Sequence, residues 1–80
     1  MNVQVNYFGM IAEAVKSERE DIEVRELLPI RDLKEMLEKK YPALKKMDYR
    51  IAVNHSFADD PDFELLKDSE VALLPPFAGG

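Results

Sequence analysis

The sequence predicts an α+β domain in which a mixed sheet packs against one long helix, with a flexible tail beyond the last strand. Three observations predict it. Apolar and polar residues alternate in 2–8, 49–54 and 70–75, the two-residue period of strands with one buried face. Apolar residues from Ile30 to Leu44 recur instead at three- and four-residue spacing, the period of a helix with one buried stripe. The chain has 80 residues, 46% of them hydrophobic, which is material for one core and a single domain, 1–80.

Each element follows in order. In 2–8, Val3, Val5 and Tyr7 point one way and Asn2, Gln4, Asn6 and Phe8 the other, giving the first strand. Gly9 breaks it. Met10, Ile11, Ala14 and Val15 then fall at helical spacing, so a short helix is expected over about 10–17. Glu18-Arg19-Glu20-Asp21 reads as a solvated turn, and 22–28 as a second strand. The long helix follows, with Ile30, Leu33, Leu37, Tyr41 and Leu44 on its buried face. Asp32 in its first turn and Lys39-Lys40 in its last suit the helix dipole, and Pro42 ends it near residue 40. Pro29 stands where a Ser, Thr or Asp cap is expected. The third strand spans 49–54, with a short fourth over 55–58. Asp59-Asp60-Pro61-Asp62 is a loop signal, and the last strand covers 70–75 until Pro75-Pro76 ends the ladder. One long helix covering one face of such a sheet is the β-grasp, or ubiquitin-like, arrangement.

Composition narrows the function. With no cysteine and one histidine, no thiolate or His-rich metal site is expected, and no metal is assigned. Ser17, Ser56 and Ser69 suggest no catalytic triad. No apolar run is long enough to span a membrane, and no leader is expected, so the protein reads as cytoplasmic. The net charge of −5 argues against nucleic acid as a partner. That charge is concentrated: residues 1–58 hold ten acids and ten bases, whereas 59–80 hold six acids and one base. The acidic stretch is either a solubilising loop or a collar that steers the C-terminus toward basic partners. Asp59, Asp60 and Asp62 lack the further ligands and the glycine of a calcium loop. His55, in a loop, is read as structural or exposed rather than catalytic.

The outer face of the sheet is not uniformly polar. The alternation that buries Val3, Val5, Tyr7, Ile51, Val53, Val71 and Leu73 sends Phe8, Ala52, Ala72 and Leu74 outward, and Phe57 has no place under the helix. Such a patch marks a partner site. The chain ends Leu74-Pro75-Pro76-Phe77-Ala78-Gly79-Gly80. Two prolines stiffen the base of this tail, 75–80; Phe77 and Ala78 can anchor in a groove. Gly79 and Gly80 have no side chains, so the terminal carboxylate can thread a narrow tunnel in another protein. Fully extended, six residues reach about 20 Å.

A β-grasp chain of this length ending in Pro-Pro-Phe-Ala-Gly-Gly resembles the sulfur-carrier small subunits of molybdopterin synthase, a ubiquitin-like family. The likeness covers the whole chain. It is carried by Tyr7-Phe8-Gly9 with Glu13 following, by Ala52-Val53-Asn54, by Leu66-Lys67-Asp68-Ser69-Glu70-Val71-Ala72, and most specifically by Pro75-Pro76 before the Gly-Gly end. The chain departs from the family in Ser69, where glycine is usual, and in Pro29, where Ser or Thr often caps the helix.

The resemblance implies a carrier cycle. An adenylating enzyme of the ubiquitin-activating type uses ATP to make an acyl-adenylate at Gly80. A sulfur donor protein then supplies the sulfur of a C-terminal thiocarboxylate. The synthase large subunit takes up the tail, and the thiocarboxylate gives its sulfur to cyclic pyranopterin monophosphate. The assembly implied is a heterotetramer. Gly79 and Gly80 are then the reactive end, and Phe8, Phe57, Leu74, Pro75, Pro76, Phe77 and Ala78 the partner-binding residues. The chain binds no cofactor itself, and catalytic groups come from the partner. Three other readings remain: a carrier for thiazole or another thiolated product, a protein modifier joined through Gly80, and an interaction module whose tail has no chemistry.

Overall fold

A computed structural model describes residues 1–76. Its elements are β1 (Asn2–Tyr7), α1 (Gly9–Val15), β2 (Arg19–Glu23), α2 (Ile30–Lys40), a 3-10 turn (Pro42–Lys46), β3 (Arg50–Val53), β4 (Ser56–Phe57) and β5 (Glu70–Leu74). The sheet runs β2-β1-β5-β3-β4. β1 and β5 are parallel and sit side by side, while the other pairs are antiparallel. Val3, Val5, Tyr7, Ile51, Val53, Val71 and Leu73 are all buried, together with Ile30, Leu33, Leu37 and Leu44 from the helical layer. The alternation and the helical stripe thus meet in one core.

The second strand is a correction. It starts at Arg19, inside the stretch read as a turn, and ends at Glu23, so 24–28 lie outside it. The short α1 returns the chain to β1 early, and Asn6 pairs with Arg19 and Asn2 with Glu23. A charged run is tolerated because β2 is an edge strand. Its inward-facing Glu20 is half-buried and held by three donors. The Tyr7 hydroxyl donates to Oε1 at 2.5 Å, the Tyr41 hydroxyl to Oε1 at 2.7 Å and the Lys40 ammonium to Oε2 at 2.7 Å. This network ties β1, β2 and the end of α2 together.

The missing side-chain cap of α2 is replaced by backbone. The Ile30 N–H donates to the Phe63 carbonyl at 2.8 Å and the Arg31 N–H to the Pro61 carbonyl at 3.0 Å. The acidic loop therefore closes the helix N-terminus, and its charges are largely engaged locally. Asp62 pairs with Arg31, Asp59 pairs with Arg50, and the Asp60 carboxylate accepts from the Asp62 N–H at 2.9 Å. Before β5, Asp68 takes the left-handed position, with φ 64°. Ser69 is buried and its hydroxyl both accepts from the Leu66 N–H and donates to the Leu66 carbonyl. Serine thus replaces glycine at a position that needs no positive φ. Among the described residues, no helix is long and apolar enough to cross a membrane.

Candidate functional site: the tail root and the outer groove

The tail leaves the sheet at a fixed point. β1 ends at Tyr7, and the Phe8 N–H donates to the Leu73 carbonyl at 3.3 Å, so the parallel ladder runs to the end of β5. Gly9 then turns into α1 with φ +55°, a conformation that glycine adopts without strain. A Cβ on Gly9 would stand 3.1 Å from Pro75 Cγ. The glycine that ends β1 is therefore also the seat of the first tail proline. Pro75 is half-buried and Pro76 is exposed.

Beside this root lies a groove of about 270 Å³ on the outer face of the sheet. Ala52 and Ala72, directly paired, form its floor. Phe8, Leu74 and Phe57 flank it, with Phe8 and Phe57 46% and 47% exposed. Ala52 differs from expectation: it points outward but is only 7% exposed, because so small a side chain lies at the bottom of the groove opposite Phe57. Phe57 is stacked under the Arg50 guanidinium, whose carbon is 3.6 Å from the ring centroid, and Arg50 is in turn paired with Asp59 at 2.9 Å. The aromatic wall is thus preorganised.

The groove has two unlike ends. Strand register places Leu74 and Phe8 toward the tail and Glu70 at the other end of β5, four residues back from Leu74 and two from Ala72. Asn6, His55 and Glu70 supply its polar lining. Asn54 and His55 join β3 to β4 with φ 50° and 70°, the double left-handed geometry of a tight hairpin turn. Asn54 fastens this turn to β5. Its N–H donates to the Glu70 carbonyl at 2.8 Å, and its side-chain oxygen accepts from the Glu70 N–H at 2.9 Å. The Asn6 amide donates to Glu70 Oε1 at 3.1 Å.

The structure brings Phe8, Phe57, Leu74, Pro75 and Pro76 to one end of one face. Phe77, Ala78, Gly79 and Gly80 lie outside the described residues. Asn6 and Glu70 were missed from sequence. Their outward position was legible from the alternation, but their convergence depends on the β1–β5 register. The sequence marks Gly9 as a strand breaker and as part of the Tyr7-Phe8-Gly9 motif but not as the seat of Pro75, since that contact joins residues far apart in the chain. Among the described residues, no group of three or more His, Asp or Glu is placed to hold a metal.

Comparison with known proteins bears on this arrangement. The chain is 38% identical over 84 residues to the molybdopterin synthase sulfur carrier subunit of Mycobacterium tuberculosis, covering 100% of this chain and 99% of that one. A Pyrococcus furiosus structure, provisionally assigned as molybdopterin converting factor subunit 1, superposes with a TM-score of 0.88 at 29% identity, covering 95% of this chain and 98% of the other. A chain from the complex of subunits 1 and 2 of the Helicobacter pylori molybdopterin-converting factor superposes with a TM-score of 0.72 at 27% identity, covering 100% of both chains. The sequence pattern of the ThiS family matches residues 5–80, tail included, and the chain belongs to that family.

Proposed function

We propose that this protein is the sulfur-carrier subunit of a molybdopterin synthase, with Gly80 as the atom-carrying end. The observation that carries the reading is the apolar groove beside the seat of Pro75, at the root of a tail whose sequence ends Gly79-Gly80. A docked partner covers the groove and receives the tail in one event. The sulfur carrier subunit of Mycobacterium tuberculosis and the two-subunit complex of Helicobacter pylori support this choice of pathway and of a large-subunit partner.

The chemistry follows from the end group. A carboxylate is a poor electrophile, so an adenylating enzyme spends ATP to make the Gly80 acyl-adenylate and releases pyrophosphate. A persulfide sulfur from a donor protein attacks the acyl carbon and AMP leaves. Cleavage of the resulting acyl disulfide by a thiol leaves a thiocarboxylate on Gly80. Within the synthase, that sulfur passes to cyclic pyranopterin monophosphate. Acid, base and cation groups come from the large subunit, and the carrier holds no cofactor. A heterotetramer with the carriers at the ends of a large-subunit dimer, working in the cytoplasm, completes the reading.

The test is the C-terminal mass after incubation with ATP, adenylating enzyme and sulfur donor. The native chain acquires a thiocarboxylate, and a chain extended beyond Gly80 acquires none. Equal loading of the extended chain overturns the carrier reading.

A further inference from the structure

We infer that the outer groove recognises a partner segment that pairs an apolar side chain with a lysine or arginine, and that Glu70 is the residue that reads the cation. The inference rests on the groove being the docking face. It adds the chemistry of what the groove accepts.

The argument begins with the two ends of the groove. Toward the tail, Phe8 and Leu74 flank a floor of Ala52 and Ala72, a recess shaped for an apolar side chain. Two residues back from Ala72 along β5 stands Glu70, about 7 Å from the floor at the rise of an extended strand. Its backbone is fixed by Asn54 on both sides, and its side chain is aimed by the Asn6 amide at Oε1. Asn6 is a neutral donor, so the carboxylate is positioned without being neutralised.

Neither arginine of the outer face is paired with Glu70. Arg50 stacks on Phe57 and is paired with Asp59, and Arg19, the other arginine of this face, stands opposite Asn6 on the edge strand β2. None of the ion pairs among the described residues involves Glu70. His55 lines the groove near Glu70 without an ion pair to it. The groove therefore presents an apolar recess with one held, unpaired carboxylate at its far end. An apolar anchor with a cation one strand-step away is complementary to both. An acidic or purely apolar segment leaves Glu70 desolvated without a partner, which penalises wrong partners.

Glutamine at position 70 separates this from a structural role. It keeps the oxygen that accepts from Asn6 and the backbone bonds to Asn54, and removes only the charge. The experiment measures the dissociation constant for a molybdopterin synthase large subunit at low and high salt. It uses the full chain, Glu70→Gln and Phe57→Glu. Glu70→Gln is expected to weaken binding about tenfold at low salt, with the difference shrinking as salt rises. Phe57→Glu is expected to abolish binding. If Phe57→Glu binds like the full chain, the docking reading falls. If Phe57→Glu fails to bind while Glu70→Gln matches the full chain at both salt concentrations, the docking reading stands and the assignment of Glu70 is overturned. Unchanged circular dichroism and melting temperature in both variants keep misfolding out of the result.

Discussion

Two clusters of aromatic and charged residues lie at opposite faces of the sheet and are organised in opposite ways. Under the helix, Tyr7, Tyr41 and Lys40 converge on Glu20, and every donor finds an acceptor within this chain. No buried side-chain nitrogen or oxygen among the described residues lacks a partner. On the outer face, Phe8 and Phe57 remain about half exposed, and Glu70 carries an unpaired charge. The first cluster is complete as folded. The second is left open to the surface. The fold thus divides its work: one face secures the domain, and the other, on the function proposed above, presents the tail root to a partner.

The comparison breaks most sharply when one apolar residue is removed from each face. Leu37 is 1% exposed at the centre of α2. Leu37→Ala is expected to cost about 2–5 kcal/mol in urea denaturation, a large share of the stability of so small a domain. Phe8→Ala on the outer face is expected to cost under about 1 kcal/mol, since its ring is already half in water. It should nonetheless weaken large-subunit binding. Comparable stability losses in the two variants would show that the outer face is part of the core.

This division also explains what sequence could reveal. The inward alternation of β1, β3 and β5 and the stripe of α2 were legible because burial imposes a period. β2 was not, because an edge strand built from Arg19-Glu20-Asp21 shows charge rather than alternation, and its one half-buried charge is satisfied by distant donors. The apolar members of the outer patch were legible by elimination, as residues with no place under the helix. The polar pair at its far end was not, because Asn6 and Glu70 meet only through strand register. Likewise the loop 59–62 looked like free charge, whereas its Pro61 carbonyl, with that of Phe63 just beyond it, caps α2.

Gly9 links the two faces, and changing it sharpens the comparison at intermediate cost. Gly9→Ala forces a Cβ into the left-handed region and against the Pro75 ring. The strain is expected to cost about 1–2 kcal/mol. Because the displaced group is the tail root, large-subunit affinity and thiocarboxylate loading should fall further than the stability loss accounts for. Pro75→Ala relieves the contact and, in the double variant, should recover part of the affinity. If Gly9→Ala loses stability alone, with binding and loading intact, Gly9 serves the turn and not the tail.

The smallest effect is read through pH, and it belongs to the helix face alone. Burial pushes the Glu20 carboxyl up, but hydrogen bonds from Lys40, Tyr41 and Tyr7 outweigh it and hold the group below its ordinary value of 4.5. A depressed carboxylate contributes stability above 4.5 that is lost as pH falls through the lower folded value. Tyr7 moves the other way. Burial, then the bond to Glu20, raises it well above 10, so its contribution is whole below pH 10 and lost as pH rises beyond. Glu20→Gln should therefore lie about 1 kcal/mol below the native chain at neutral pH and close on it in acid, where the native carboxylate is itself protonated. Tyr7→Phe should flatten the alkaline limb. Phe8→Ala, on the outer face, should keep one constant offset across the whole range. If the Glu20→Gln deficit is equally constant, the carboxylate charge contributes nothing to the fold, and only the shape of the network holds that face.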